Sequence, residues 1–352
     1  MTLRVKVDGS FVETGGAGGA EADEHGWIRP ADWLAMPEVA ATDQVFYGLH
    51  AVYDAGSNFA TIRCTGAFTV DWGDGTVEDI ASNTTAEHEY DFADVALNGT
   101  LTSLGYKQAL VHVYPQAGQT LSNINTSLRH SKTSVNLSSS QWLDIRLAMN
   151  NAGTVTNHNI HWRHLLLQRF EWIGTNEQLF SNRYSYMRSL QSWKDGSTTG
   201  GPASWTFSDT NIRIFDKAIT LSSSDPRSMF ANSTVERVRG ITVTASGRQI
   251  FAAANHLKII EDCDFSAMTA DVGAFATAPN LCRIRNTPMP AITFTIANCS
   301  FNRAGLVEVF EQLPDRTGFA SPTITITGNW GIADLTAADR LIATNKNWTI
   351  VE

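Results

Sequence analysis

Residues 228–260 contain Ser228-Met229-Phe230-Ala231-Asn232-Ser233-Thr234-Val235-Glu236-Arg237-Val238 and, later, Ile250-Phe251-Ala252-Ala253-Ala254-Asn255-His256-Leu257-Lys258-Ile259-Ile260. The second run repeats the first: an apolar residue, a Phe, small or polar residues, then two apolar residues three apart. Working outward, a Phe recurs at Phe180, Phe207, Phe230, Phe251, Phe275 and Phe301, at intervals of 27, 23, 21, 24 and 26 residues. After each comes an apolar pair: Met187/Leu190, Ile212/Phe215, Val235/Val238, Leu257/Ile260, Leu281/Ile284 and Leu306/Val309. Self-similarity at this period is the signature of a repeat architecture. Each unit reads as a short turn with a Phe plug, followed by a strand. A unit of this size cannot bury its own apolar side, so neighbours must stack Phe on Phe and aliphatic on aliphatic. Each ring should then bury about 150–250 Å².

Towards the C-terminus, Leu306 to Leu313 reads as a helix stopped by Pro314, and Thr323 to Thr327 alternates as a strand. Thr336 can cap a last helix, and Asn347-Trp348-Thr349-Ile350 reads as a closing strand. Towards the N-terminus, Trp142 to Leu147 and Thr133 to Leu137 read as strands that bridge and cap the first repeat.

Residues 26–115 read as a separate β module. Trp27, Trp33 and Leu34 around Pro30 supply core anchors, and Phe46 to Tyr53 reads as a strand. Phe59 to Cys64 and Phe68 to Trp72 read as a hairpin around Thr65-Gly66. The most specific local motif is Val70-Asp71-Trp72-Gly73-Asp74-Gly75-Thr76, whose Asp-Gly pairs favour positive φ and tight turns. His88-Glu89-Tyr90 and an alternating strand, Ala109 to Tyr114, follow it. One such Asp turn supplies too few oxygens for calcium, which takes six to eight. Residues 1–25 read as an attachment arm: Leu3 to Val7 alternates as a strand, Asp8-Gly9 is a turn signal, and Gly15-Gly16-Ala17-Gly18-Gly19 is a flexible tether.

The W-G-D-G-T turn with H-x-Y and an alternating strand behind it resembles PKD-like β-sandwich domains. The Phe-centred repeats resemble BspA-type leucine-rich repeats, and the C-terminal series resembles the closing cap of repeat proteins encoded by tailed phages. These resemblances cover about nine-tenths of the chain. They imply a mainly β protein with short helices, in which a small PKD-like β-sandwich precedes an irregular leucine-rich-repeat solenoid. The expected organisation is an arm (1–25), the sandwich (26–115), bridging strands (116–162), the solenoid (163–315) and a C-terminal cap (316–352). The implied role is a phage virion structural protein that binds the host surface from a tail fibre, tail tip or baseplate. The alternatives are a capsid-decoration or head-fibre protein and, behind it, a bacterial adhesin. The implied partners are other virion proteins, through the arm, and a host surface glycan or protein. A homo-oligomer is expected within the particle.

The formal net charge of −9 argues against nucleic acid as a main partner. Cys64, Cys263, Cys282 and Cys299 form no C-x-x-C pair, which speaks against structural zinc. The last three read as small buried hydrophobes. No cofactor is implied. Nothing resembling a signal peptide opens the chain and no long apolar run occurs, so synthesis in the host cytoplasm and release in the virion is the expectation. His158, His161 and His164 do not converge at helical or strand spacing and read as exposed residues at a cap. No G-x-S-x-G, H-E-x-x-H or P-loop occurs, and no enzymatic activity is expected.

One pattern points to a binding face. Beside the apolar anchors of five successive units stand Arg188, Arg213, Arg237, Lys258 and Arg283. Stacked, they would form a basic stripe suited to anionic lipopolysaccharide or capsule. The plainer reading is solvated strand residues salt-bridged to Glu236, Glu261 and Asp262. The register slips between the first and second position after the anchor, so the side chains need not share a direction.

Overall fold

The computed structural model describes residues 4–7, 10–13, 22–23, 25–54, 58–133, 140–149, 157–159, 164–173, 187–195, 206–222, 228–247, 249–271, 273–275 and 278–352. The protein is mainly β, with two α-helices among the described residues. Strands β1 (Arg4–Val7) and β2 (Ser10–Glu13) form an antiparallel hairpin that pairs with no other described strand. The turn expected at Asp8-Gly9 lies outside the described residues.

Next come β3 (Gln44–Val52), β4 (Phe59–Thr65), β5 (Phe68–Asp71), β6 (Val77–Ile80), β7 (Thr85–Glu89), β8 (Lys107–Pro115) and β9 (Asn123–Asn125). They are followed by β10 (Trp142–Met149), β11 (Asn157–Asn159), β12 (Arg169–Ile173) and β13 (Ser192–Asp195). One sheet runs β13-β12-β10-β3-β8-β5-β6 and a second runs β11-β9-β4-β7. Their apolar side chains meet in one core: Phe46 and Val52 of β3, Ile62 and Cys64 of β4, Val70 of β5, and Val111 and Val113 of β8 are all buried there. The opposite face of β3 is covered as well. Leu49 and Ala51 pack against Trp27 and Trp33, with Leu34 and Met36 at the edge. The Trp-rich segment around Pro30 is therefore a lid on the sheet's outer face.

One local expectation is corrected. β4 and β5 are not a hairpin: β4 pairs with β7 and β9, whereas β5 pairs with β6 and β8 in the other sheet. Gly66 at φ +101° turns the chain from one layer to the other, and a Cβ there would stand 2.0 Å from the Thr120 carbonyl oxygen. Both strands are strongly apolar because each is a wall of the shared core.

The sheet changes character at β10, which runs antiparallel to β3 but parallel to β12. β12 and β13 continue in parallel, so this sheet crosses both boundaries expected at 115 and 162. β14 (Ile214–Leu221), β15 (Arg237–Val243), β16 (Ile259–Glu261) and β17 (Arg283–Arg285) form a four-stranded parallel sheet. Phe215, Val238, Ile260 and Ile284 align across it, and all twelve residues of the six apolar pairs are buried.

The turns stack beside the strands. Phe207, Phe230, Phe251 and Phe275 lie face to face, with centroids 6.0, 6.0 and 5.8 Å apart and rings within 15° of parallel. Two residues after three of these rings, Asp209, Asn232 and Ala253 adopt φ of 54°, 54° and 57°. Left-handed backbone favours Asn and Asp, which explains the small polar residues there. The amides of Asp209 and Asn232 each bond the carbonyl of the next turn, at 2.8 and 2.9 Å. Phe180 lies outside the described residues. Phe301 is buried but outside the ring stack, where Phe294 takes the next place against Phe275 at 6.4 Å.

The C-terminal part holds β18 (Phe294–Thr295), α1 (Arg303–Gln312), β19 (Thr323–Thr325), α2 (Ala337–Thr344) and β20 (Thr349–Val351). The three strands pair in parallel. Thr336 caps α2 through a capping box with Asp339. Trp348 closes the core edge-on against Phe294. All four cysteines are free, and Cys282 is exposed rather than buried, because it stands beside an anchor on the outer face.

Candidate functional site

The parallel strands β14–β17 present an outer face of charged residues. The register places Arg213, Glu236 and Lys258 in one row immediately before the strands. The next row is Ile214, Arg237, Ile259 and Arg283, and two residues on come Asp216, Arg239, Glu261 and Arg285. Four of the five sequence-picked cations therefore share this face, divided between two rows as the register slip implied. Arg188, also exposed, lies in a turn before β13, an end strand of the first sheet.

The face is not a run of free cations. Glu236 bridges Arg213 at 2.7 Å and Lys258 at 3.0 Å. The Lys258 ammonium and the Arg213 guanidinium hold its carboxyl below the usual carboxylate range. Arg283 forks onto Glu308 at 2.5 and 2.9 Å. Arg239 spans Asp216 at 2.9 Å and Asp262 at 2.6 Å. Glu261, nearly buried, is ringed by Arg237 at 3.6 Å, Arg239 at 3.4 Å and Arg285. Six cations thus meet five carboxylates. The same device recurs on the first sheet, where buried Glu171 meets Arg146 at 2.8 Å, Arg169 at 2.7 Å and Lys194 at 3.4 Å. The partners expected for these cations, Glu236, Glu261 and Asp262, all form ion pairs on this face, whereas Glu171 on the first sheet was not singled out from the sequence. Its signal was the residue after an apolar anchor: Glu171 follows Phe170, as Glu261 follows Ile260.

One concavity opens on the face, about 250 Å³ in volume, between His25, Arg213, Arg237 and Lys258, with Ile214 and Ile259 also lining it. His25 belongs to the end of the expected arm, yet it is buried, with Nδ1 2.7 Å from the carbonyl oxygen of Ile214. Asp23 beside it accepts from the amides of His25 and Trp27 at 2.9 and 3.0 Å and from the Ser192 hydroxyl. The segment that leads out of the arm is therefore laid across the repeat strands and forms one wall of the cavity.

The W-G-D-G-T motif forms the β5–β6 turn. Asp71 accepts from the Gly73 amide and Asp74 from the Thr76 amide, both at 2.9 Å. Gly73 at φ +81° passes so close to Leu110 that a Cβ would stand 2.6 Å from its carbonyl oxygen. Trp72 is fully buried and donates to Glu78 at 2.9 Å. His88 stacks on Trp72 at 4.9 Å while its Nε2 meets Asp74 at 2.6 Å, and Tyr90 donates its hydroxyl to the Trp72 carbonyl at 2.8 Å. Burial raises the Asp74 carboxyl, but the Thr76 amide and His88 outweigh it and leave it low. The two aspartates are used within the turn and on His88, which makes the motif a structural lock. Of the three clustered histidines, His164 is buried against Thr126 at 3.0 Å rather than exposed at a cap. The side chains of His158 and His161 lie outside the described residues.

Compared with protein-family models, curated proteins and solved structures, the chain matches none.

Proposed function

We propose that this chain is a virion structural protein of a tailed phage that holds a host surface through the outer face of its repeats. The stacked units are read as an irregular leucine-rich-repeat solenoid of the BspA type, and the two facing sheets before them as a PKD-like sandwich. The observation that carries the reading is the division of labour along the chain. A hairpin that pairs with no other described strand precedes a glycine-rich tether, and an extended charged face follows. An isolated two-stranded hairpin is marginal in water and gains stability by joining another sheet. A neighbouring virion protein supplies that sheet by strand addition. The charged face fits binding rather than catalysis, because its acids and bases hold one another and present a broad polar surface.

The test uses two forms of the chain. Purified full-length protein should coat host cells and compete with phage adsorption. A phage whose copy lacks residues 1–21 should assemble without this protein, although the truncated chain folds, because β1 and β2 pair with no other described strand. No competition at saturating protein, or normal incorporation of the truncated chain, overturns the reading.

A further inference from the structure

We propose that the cavity between His25, Arg213, Arg237 and Lys258 is a socket for one acidic sugar of the hexuronate class, an inference that rests on the host-surface reading above. The face as a whole is close to neutral, but the cavity is not. Its lining brings three cations against one carboxylate, Glu236, so the positive excess of the face is concentrated here. Arg237 lines it from β15, the middle of the three strands that border it. Its contact with Glu261 is through Nε at 3.6 Å, and Glu261 is also held by Arg239 and Arg285. A guanidinium carries five N–H donors, and its terminal pair matches a carboxylate in bidentate fashion.

The register supplies the second half of the argument. Ile214, Arg237 and Ile259 lie side by side on three neighbouring strands, so the guanidinium is flanked by two aliphatic side chains. A charge set between apolar flanks suits a carboxylate carried on a ring whose C–H face can lie on the isoleucines. A bare phosphate would gain nothing from those flanks. The volume of about 250 Å³ falls just under the ~300–1,000 Å³ typical of drug-sized ligands. It suits one ring rather than a stretch of polymer. The contact with an acidic polysaccharide is thus a single socket per chain, and affinity on a particle grows with the number of copies.

The experiment is a calorimetric titration of the purified full-length chain with glucuronate, glucose and inorganic phosphate. Glucuronate should saturate one site, weaken as salt is raised, and exceed glucose and phosphate by about tenfold or more. Arg237→Ser should lose about tenfold, the loss expected for one charge-assisted hydrogen bond. Its fold should survive, because Arg239 and Arg285 still neutralise Glu261, and an unchanged melting temperature checks this. Glu236→Gln should bind glucuronate more tightly, by roughly threefold, because it removes the carboxylate that competes for Arg213 and Lys258; misfolding cannot mimic that gain. Absence of glucuronate binding, equal affinity for phosphate, or indifference to both substitutions overturns the socket. A chain that coats host cells yet ignores glucuronate overturns the socket alone. A chain that binds glucuronate but is missing from particles overturns the display reading alone.

Discussion

Replacing Phe251 by Ala tests the stacking of the repeats where it is most complete. The ring is fully buried. It lies 6.0 Å from Phe230 at 4° and 5.8 Å from Phe275 at 15°, with Phe265 edge-on at 6.2 Å. A buried Phe→Ala change costs about 3–5 kcal/mol, and each aromatic pair adds about 0.5–1.5 kcal/mol beyond burial. The cavity cannot close easily, because the Phe251 amide is tied to the Ala274 carbonyl at 2.9 Å, fixing the spacing to the next turn. The expected loss is therefore in the upper half, about 4–5 kcal/mol. Phe301→Ala, equally buried but outside the stack, should cost nearer about 3 kcal/mol. Urea unfolding measures both, with the midpoint falling and the slope unchanged. A loss under about 1 kcal/mol for Phe251→Ala, or an order reversed between the two, refutes the stacked core.

Three further outcomes follow from particular residues. Ala253 holds a left-handed turn that Asp209 and Asn232 occupy in its neighbours, so Ala253→Gly should raise stability by about 0.5–1 kcal/mol; a lower urea midpoint contradicts this. Burial holds the His50 imidazole down to about 3, below its ordinary value near 6.5. Its neutral form thus contributes stability that is complete above pH 6.5 and is lost as pH falls towards 3, at about 1.4 kcal/mol per pH unit. His50→Gln should remove that slope between pH 6.5 and 5, and parallel stability profiles for the two proteins would count against it. Glu261→Gln leaves Arg237, Arg239 and Arg285 around a neutral group, with an expected cost of about 2 kcal/mol, softened because the arginines are partly exposed. An unchanged melting temperature means the ring of cations is ornamental.

The sequence made the apolar skeleton readable because period and burial are local signals. The six pairs, the apolar β3, the alternating β8, the two helices and the Thr336 cap all follow from spacing and capping chemistry within a few residues. Pairing partners were not readable in the same way. Phe59 to Cys64 and Phe68 to Trp72 are two apolar runs around a glycine, a pattern shared by a hairpin and by an arch between layers. The pairing of β4 with β7 and β9, and of β5 with β6 and β8, decides for the arch. The continuation of one sheet through β10 was hidden for the same reason, since a strand's sequence does not state whether its neighbour runs parallel. At the candidate site, the cations stood out because they sit beside hydrophobic anchors. Their carboxylate partners come from adjacent units 22 to 25 residues away, as with Lys258–Glu236 and Arg283–Glu308. His25 lies 189 residues from the carbonyl it meets. A contact at that separation leaves no local trace.

The proposed role requires this chain to be carried on a phage particle and to face the host. Gold-labelled antibody against the purified chain, applied to intact particles and viewed by electron microscopy, tests it directly. Label is expected on the tail, at fibres, tip or baseplate, and should be blocked when particles are first bound to host cell envelopes. Particles that carry no label, while the protein is found only in the lysate, would contradict it.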